Sequence, residues 1–376
     1  MNKCFSRILY YSQYTFLERP KYVSPLLRNK GQFSRAYSSL KEQTNNCLIE
    51  TNELYDLIKS KKKYLLFDVS WYNIKNNKND NEYTNDDDNL ERIESSINFN
   101  SNISSNQDSN ISSFSFPTQS EFFSYLRELL IRHEILININ SLENIPFIFY
   151  EKDDIFYSPR IWFIFKIFSF NNVKVLNGGL NKWISEGKYI ISQNETEYNH
   201  NNITPDKERI KHVNQMIEEH LIKNKENIKT NLKKNIYNYS DIENYIAQKK
   251  SNKLKTTILI DTRPNASFSS LLLINDKKTK INNNIPFSIN IPYHYFINSN
   301  QELYKYFTFK SKLELRNICN AYGILNERNV IIATCNKGIT ACILIYILCL
   351  LNIPFSNLIL YHGSFSEYKY YKYNIS

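Results

Sequence analysis

Val330-Ile331-Ile332-Ala333-Thr334-Cys335-Asn336-Lys337-Gly338-Ile339-Thr340-Ala341 leads directly into a second apolar run, Cys342-Ile343-Leu344-Ile345-Tyr346-Ile347-Leu348. The first run has the length of a buried strand and the second that of a helix. The pattern predicts a strand ending at Thr334 or Cys335 and a helix beginning near Thr340. Cys335 then stands in the turn, at the carboxyl end of the strand and facing the amino end of the helix. Backbone N–H groups there favour an anion, and so a thiolate. Gly338 suits a close backbone approach or a positive φ. Thr340 is a candidate helix cap and a candidate hydrogen-bond partner of the sulfur. Read alone, a cysteine at this position is more often a small buried side chain packing in a strand–helix turn.

Working outward, the same alternation recurs. A helix is expected over 52–59, then a strand over 64–70 ending in Asp68-Val69-Ser70. A low-complexity Asn/Asp/Ser excursion follows over 75–115. Phe122, Phe123, Leu126, Leu129 and Leu130 lie on one face of a helix predicted over 120–133. Strands are predicted at Phe147–Tyr150 and Val173–Leu176, with a helix over 159–168 between them, and Asn177-Gly178-Gly179 breaks the chain before a helix over 180–186. Residues 193–234 are polar and charged with weak apolar periodicity, which suggests an enlarged interdomain linker with helical stretches. The alternation then restarts: helix 240–248, strand 258–261, polar loop 276–284, helix 313–322, strand 330–334, helix 340–351, strand 358–361, and a short helix after Gly363-Ser364. The two halves form an internal repeat. Strands alternating with helices predict an α/β fold with two tandem domains, each a parallel sheet flanked by helices on both faces. The expected division is a leader over 1–39, a first domain over 46–192, the linker over 193–234 and a second domain over 235–376.

Composition limits the possible functions. The formal charge is +10, but residues 1–39 carry seven basic residues and one acid, so that segment alone contributes 7 − 1 = +6. Such a concentration speaks against a nucleic-acid-binding role. The segment is acid-poor and contains Arg and Ser, and Arg35-Ala36-Tyr37-Ser38-Ser39 resembles a processing site; together these read as a mitochondrial (matrix) transit peptide, with the cytoplasm as runner-up. No apolar run reaches 18 residues, so no membrane span is expected. Cys4, Cys47, Cys319, Cys335, Cys342 and Cys349 have neither metal-ligand spacing nor a secretory disulfide pattern, which suits a reducing compartment.

Seven ordered motifs resemble those of the two-domain rhodanese-type sulfurtransferases, closest to the thiosulfate sulfurtransferases. In the first half, Asp68-Val69-Ser70-Trp71-Tyr72 is similar to D-x-S-W-Y, Ser158-Pro159-Arg160-Ile161-Trp162 to A-P-R-V-W, and Leu176-Asn177-Gly178-Gly179-Leu180-Asn181-Lys182-Trp183 to L-x-G-G-x-x-x-W. In the second half, Asp261-Thr262-Arg263 is similar to D-x-R, Asn290-Ile291-Pro292 to N-I-P, Cys335 to Ala341 to the family's active loop, and Gly363 to Tyr368 to G-S-W-x-E-W.

The resemblance implies a persulfide on Cys335 within a loop formed by Asn336, Lys337, Gly338, Ile339 and Thr340, with no cofactor and no metal. Thiosulfate or 3-mercaptopyruvate would be the donor, and cyanide, glutathione or a thioredoxin-like thiol the acceptor. Lys337 resembles the lysine of C-R-K-G-V-T in thiosulfate enzymes, as opposed to C-G-S-G-V-T in mercaptopyruvate enzymes, and would bind the donor dianion. In the first half the counterpart of Cys335 falls near Glu151, which cannot carry sulfur. The chain departs from the family at Asn336, where arginine is usual, and at Ser267 and Ser269, where donor-binding arginines are usual; Lys277, Lys278 and Lys280 follow nearby. Ile93-Glu94-Ser95 stands where mercaptopyruvate enzymes have a histidine. Arg160 and Arg263 are expected to be structural, pairing with carboxylates. Alternatives are a mercaptopyruvate sulfurtransferase, a sulfur relay for tRNA thiolation, and a catalytically impaired binding module. Ala341 stands where a C-x5-R phosphatase loop needs its arginine, which speaks against that chemistry.

Overall fold

The computed structural model describes residues 47–60, 62–70, 91–103, 115–132, 141–191, 207–274, 279–301 and 303–374. The leader, Trp71-Tyr72, most of the Asn/Asp/Ser excursion, and Lys277-Lys278 lie outside them. The first half comprises β1 (Leu48–Ile49), α1 (Thr51–Lys59), β2 (Leu65–Asp68), β3 (Arg92–Ile93), β4 (Ser96–Asn98), α2 (Gln119–Arg132), β5 (Phe147–Tyr150), α3 (Tyr157–Ile167), β6 (Val173–Leu176), α4 (Gly179–Ser185) and β7 (Ile190–Ile191). Next comes α5 (Lys207–Asn235). The second half comprises β8 (Ile236–Tyr237), α6 (Tyr239–Lys250), β9 (Thr257–Asp261), α7 (Asn265–Phe268), β10 (Leu271–Ile274), β11 (Thr279–Asn282), β12 (Ser288–Asn290), β13 (Ile297–Asn300), β14 (Tyr306–Phe309), α8 (Lys312–Ala321), β15 (Val330–Thr334), α9 (Ala341–Leu350), β16 (Leu358–Tyr361) and α10 (Ser364–Tyr373).

Each half is built on a five-stranded parallel sheet. The first has the order β1-β6-β5-β2-β4 and the second β8-β16-β15-β9-β12, so the chain visits equivalent positions in the same sequence. The central strands are apolar on both faces because helices cover both. Every residue of Leu65–Asp68, Phe147–Tyr150 and Leu358–Tyr361 is buried. Strands β5, β6, β15 and β16 have the bounds expected from their apolar runs. The two-residue edge strands β1 and β8 are too short for any periodicity. In the expected polar loop 276–284, Thr279–Asn282 is instead a strand, paired antiparallel with β10. Its exposed Thr279 and Lys280 hide it from a hydrophobic pattern.

The weakly periodic segment after residue 206 is a single helix of 29 residues. It packs on α2 and α3 through Val213, Met216, Ile217, His220, Asn224 and Ile228, a stripe at three- and four-residue steps. The stripe is hard to see in sequence because polar residues interrupt it. His220 Nε2 lies 2.8 Å from the Phe168 carbonyl and its ring stacks on Phe170 at 4.2 Å. Asn235 ends the helix by donating to the carbonyls of Phe355 and Leu358 at 2.8 and 2.7 Å.

The halves share one core. Helices α3 and α9 pack together, with Trp162 edge-on to Tyr346 at 5.1 Å. Tyr346 also stacks on Phe309 at 4.9 Å and donates its hydroxyl to the Cys47 carbonyl at 2.9 Å.

Candidate active site

The carboxyl ends of β9 and β15 hold the candidate site, and two side chains set its frame. Asp261 is fully buried and accepts the Arg263 backbone N–H at 2.9 Å and the guanidinium at 2.9 Å (Nε) and 2.7 Å (Nη2). Burial raises the Asp261 carboxyl and Arg263 opposes it, so the pair is held together as an ion pair. Arg263 also donates to the Asn283 carbonyl at 2.7 Å, and its guanidinium lies over Phe365. Its structural role is the one expected from sequence. Thr262, next in the chain, donates its N–H to the Thr334 carbonyl at 2.9 Å, which ties the two strand ends.

Cys335 follows β15 directly and is 2 % exposed. Its sulfur accepts the Gly338 N–H at 3.1 Å, so the loop turns back on its first residue. Gly338 makes this turn at φ +75°, and a Cβ there would stand 2.4 Å from the His362 carbonyl oxygen. No other residue type fits both demands. Asn336 is exposed and its Oδ1 accepts the Ser366 hydroxyl at 3.2 Å. Lys337, Ile339 and Thr340 are half-buried along the same loop. Thr340 differs from expectation. It makes no side-chain cap, and its hydroxyl pairs with that of Thr262 at 3.2 Å, bridging the loop to the neighbouring strand end.

A hydroxyl beside the sulfur belongs to Ser364, which sequence reading placed in a chain break and in the Gly363–Tyr368 motif without giving it a role at the site. Ser364 Oγ accepts the Cys335 N–H at 3.1 Å, donates to the Tyr361 carbonyl at 2.8 Å and lies 3.9 Å from Sγ. Its φ of 55° is unusual for serine and signals a position fixed by these bonds. The Gly363-Ser364 motif was the available signal.

A second unexpected participant comes from the first half. Arg160, 1 % exposed, donates Nη1 to the Gly338 carbonyl at 3.0 Å, so it reaches the loop of the other half in addition to its own surroundings. Cys342 approaches the same carbonyl at 3.4 Å, with burial pushing its thiol up to about 12. His362 is held neutral at ordinary pH, its pKa lowered to about 4 by burial first and the Arg160 charge second.

The first half repeats the frame with different chemistry. Val69 N–H donates to the Tyr150 carbonyl as Thr262 does to Thr334, both at 2.9 Å. Leu180 and Asn181 donate to the carbonyls of Glu151 and Lys152 as Phe365 and Ser366 do to those of Cys335 and Asn336. Glu151 therefore stands where Cys335 stands. Its carboxylate accepts the N–H groups of Phe156, Tyr157 and Ser158 at 3.2, 2.9 and 2.7 Å. Burial drives its pKa up to about 8 against these donors.

Among the described residues, no three His, Cys, Asp or Glu side chains are grouped to hold a metal ion, and no helix is long and apolar enough to cross a membrane.

No protein-family model matches the chain. It is 25 % identical to rat (Rattus norvegicus) thiosulfate sulfurtransferase over 259 residues, 67 % of this chain and 69 % of the rat protein. The Tum1 protein of Saccharomyces cerevisiae superposes with a TM-score of 0.57 at 19 % identity, over 87 % of this chain and 96 % of Tum1. The 3-mercaptopyruvate sulfurtransferase of Leishmania major superposes with a TM-score of 0.56 at 16 % identity, over 89 % of this chain and 76 % of that one. The structural likenesses show a tandem rhodanese fold, and over two thirds of its length the sequence is similar to thiosulfate sulfurtransferases.

Proposed function

We propose that the chain moves a sulfane sulfur from thiosulfate to a nucleophilic acceptor, carrying it as a persulfide on Cys335. The observation that carries this reading is the Cys335 sulfur at a strand carboxyl end with the Gly338 N–H directed at it at 3.1 Å. The Cys335 thiolate attacks the outer sulfur of thiosulfate. A new S–S bond forms, the bond to the sulfonate sulfur breaks, and its electron pair leaves with sulfite. Cyanide or a thiolate such as glutathione or a thioredoxin-like thiol then attacks the outer sulfur. Thiocyanate or a new persulfide departs and the Cys335 thiolate returns, which gives ping-pong kinetics. Loop N–H groups stabilise the sulfur anion as an oxyanion hole stabilises oxygen.

Thiosulfate is favoured over 3-mercaptopyruvate by Lys337, a cation on the loop suited to a dianionic donor. The acid-poor basic leader supports a mitochondrial location. Residues 46–192 and 235–376 are assigned as the non-catalytic and catalytic domains, joined by 193–234.

Incubation of the protein with thiosulfate should add the mass of one sulfur atom to the Cys335 peptide, and Cys335→Ser should lose both the adduct and turnover with cyanide. Absence of the adduct with either donor would favour a binding module. Lys337→Ser should lower kcat/KM for thiosulfate relative to 3-mercaptopyruvate; an unchanged ratio would remove the donor assignment.

A further inference from the structure

Behind the loop lies a cation that belongs to the other half of the molecule. Arg160 sits in the first turn of α3, 178 residues from Gly338 in sequence, and its guanidinium is bonded to the Gly338 carbonyl at 3.0 Å and the Ser115 carbonyl at 3.4 Å. A buried guanidinium keeps its proton and needs a nearby anion. Burial lowers the Arg160 pKa, and among the described residues the thiols of Cys342 and Cys335 and the Tyr157 phenol oppose that shift. Cys342 stays a neutral thiol, since burial pushes it up to about 12, and it spends its weak donor on the Gly338 carbonyl. His362 is neutral as well and adds no competing charge. Cys335 lies on the other side of the same peptide, its sulfur accepting the Gly338 N–H at 3.1 Å.

We propose that Arg160 is a positioning residue for sulfur transfer, contributed by the non-catalytic half: it fixes the Gly338 peptide and supplies the buried counter-charge of the Cys335 thiolate and persulfide. The inference rests on Cys335 being the sulfur carrier. The carbonyl of Gly338 is held by Arg160 while its N–H is held by the Cys335 sulfur, so one residue links cation and anion. Arg160 supplies some of the positive charge that the loop lacks at Asn336. It acts from behind the loop, through Gly338 and at a distance, and not by touching the donor.

The test compares thermal midpoints of the full chain with and without persulfide loading by thiosulfate, for the parent, Arg160→Lys and Arg160→Met. Loading should raise the parent's midpoint, because a persulfide is a more fully ionised partner for the guanidinium than a thiol. Arg160→Met should lose most of that rise, and its kcat/KM for the donor should fall roughly tenfold or more. Arg160→Lys should retain part of both, and provides the comparison on its own if the methionine variant does not fold. A loading-dependent rise equal in the parent and the lysine variant, with unaltered kcat/KM, overturns the inference while leaving the sulfurtransferase reading intact. A parent that takes up no sulfur overturns both.

Discussion

At the residue scale the site is decided by backbone positions as much as by the thiol. Gly338 combines φ +75° with a carbonyl 2.4 Å from where a Cβ would stand. Gly338→Ala should therefore destabilise the fold by roughly 1–3 kcal/mol and cost more in turnover than in stability, because the loop can relieve strain only by withdrawing its N–H from the sulfur. Denaturant midpoints and cyanide-dependent turnover on the same preparation check this. His362 gives a pH prediction. Its pKa falls from 6.5 in the unfolded chain to about 4 in the fold, burial being the main cause. Between these values the unfolded state binds a proton that the folded state refuses, so stability is fully present above pH 6.5 and declines as pH falls toward 4. The loss amounts to up to roughly 3 kcal/mol, and His362→Asn should flatten the slope over that window. Equal slopes in urea titrations of parent and variant would contradict it. The cysteine, the glycine and the buried aspartate–arginine pair were all legible in sequence. Ser364 was legible only as a motif position and Arg160 not as a site residue, since each reaches the loop through a contact with chain 29 or 178 residues away.

At the element scale, legibility followed burial on both faces. The runs Phe147–Tyr150, Val173–Leu176, Val330–Thr334 and Leu358–Tyr361 form the strands that their apolar lengths imply. Helix α5 shows why the rest was obscure. Its buried stripe includes His220, Asn224 and Asn235, whose polar groups are matched by carbonyls and by Glu143, so side chains that count as solvent-facing in a hydropathy pattern are interior. The stripe anchors the helix to α2 and α3, and Ile217, fully buried, lies at its centre. Ile217→Ala should cost about 2–4 kcal/mol by chemical denaturation, as for a core residue and unlike a residue in a loose tether. A loss under about 0.5 kcal/mol would mean that the helix contributes little to the fold.

At the scale of the whole molecule the two sheets share a continuous interior, with Trp162, Phe309 and Tyr346 meeting between them. The described residues fall in one compact unit. Calorimetry should therefore record one cooperative transition; two resolved transitions would mean that the halves melt independently. The matching hydrogen-bond frames bear on what the halves do differently. In the first, the backbone N–H groups of Phe156, Tyr157 and Ser158 are already taken by the Glu151 carboxyl, a group tethered to the chain itself. A tethered ligand is present at an effective concentration that free small anions do not reach in a cell. With those donors taken from within the chain, the proposed sulfur transfer is left with one site, Cys335, and a carrying capacity of one.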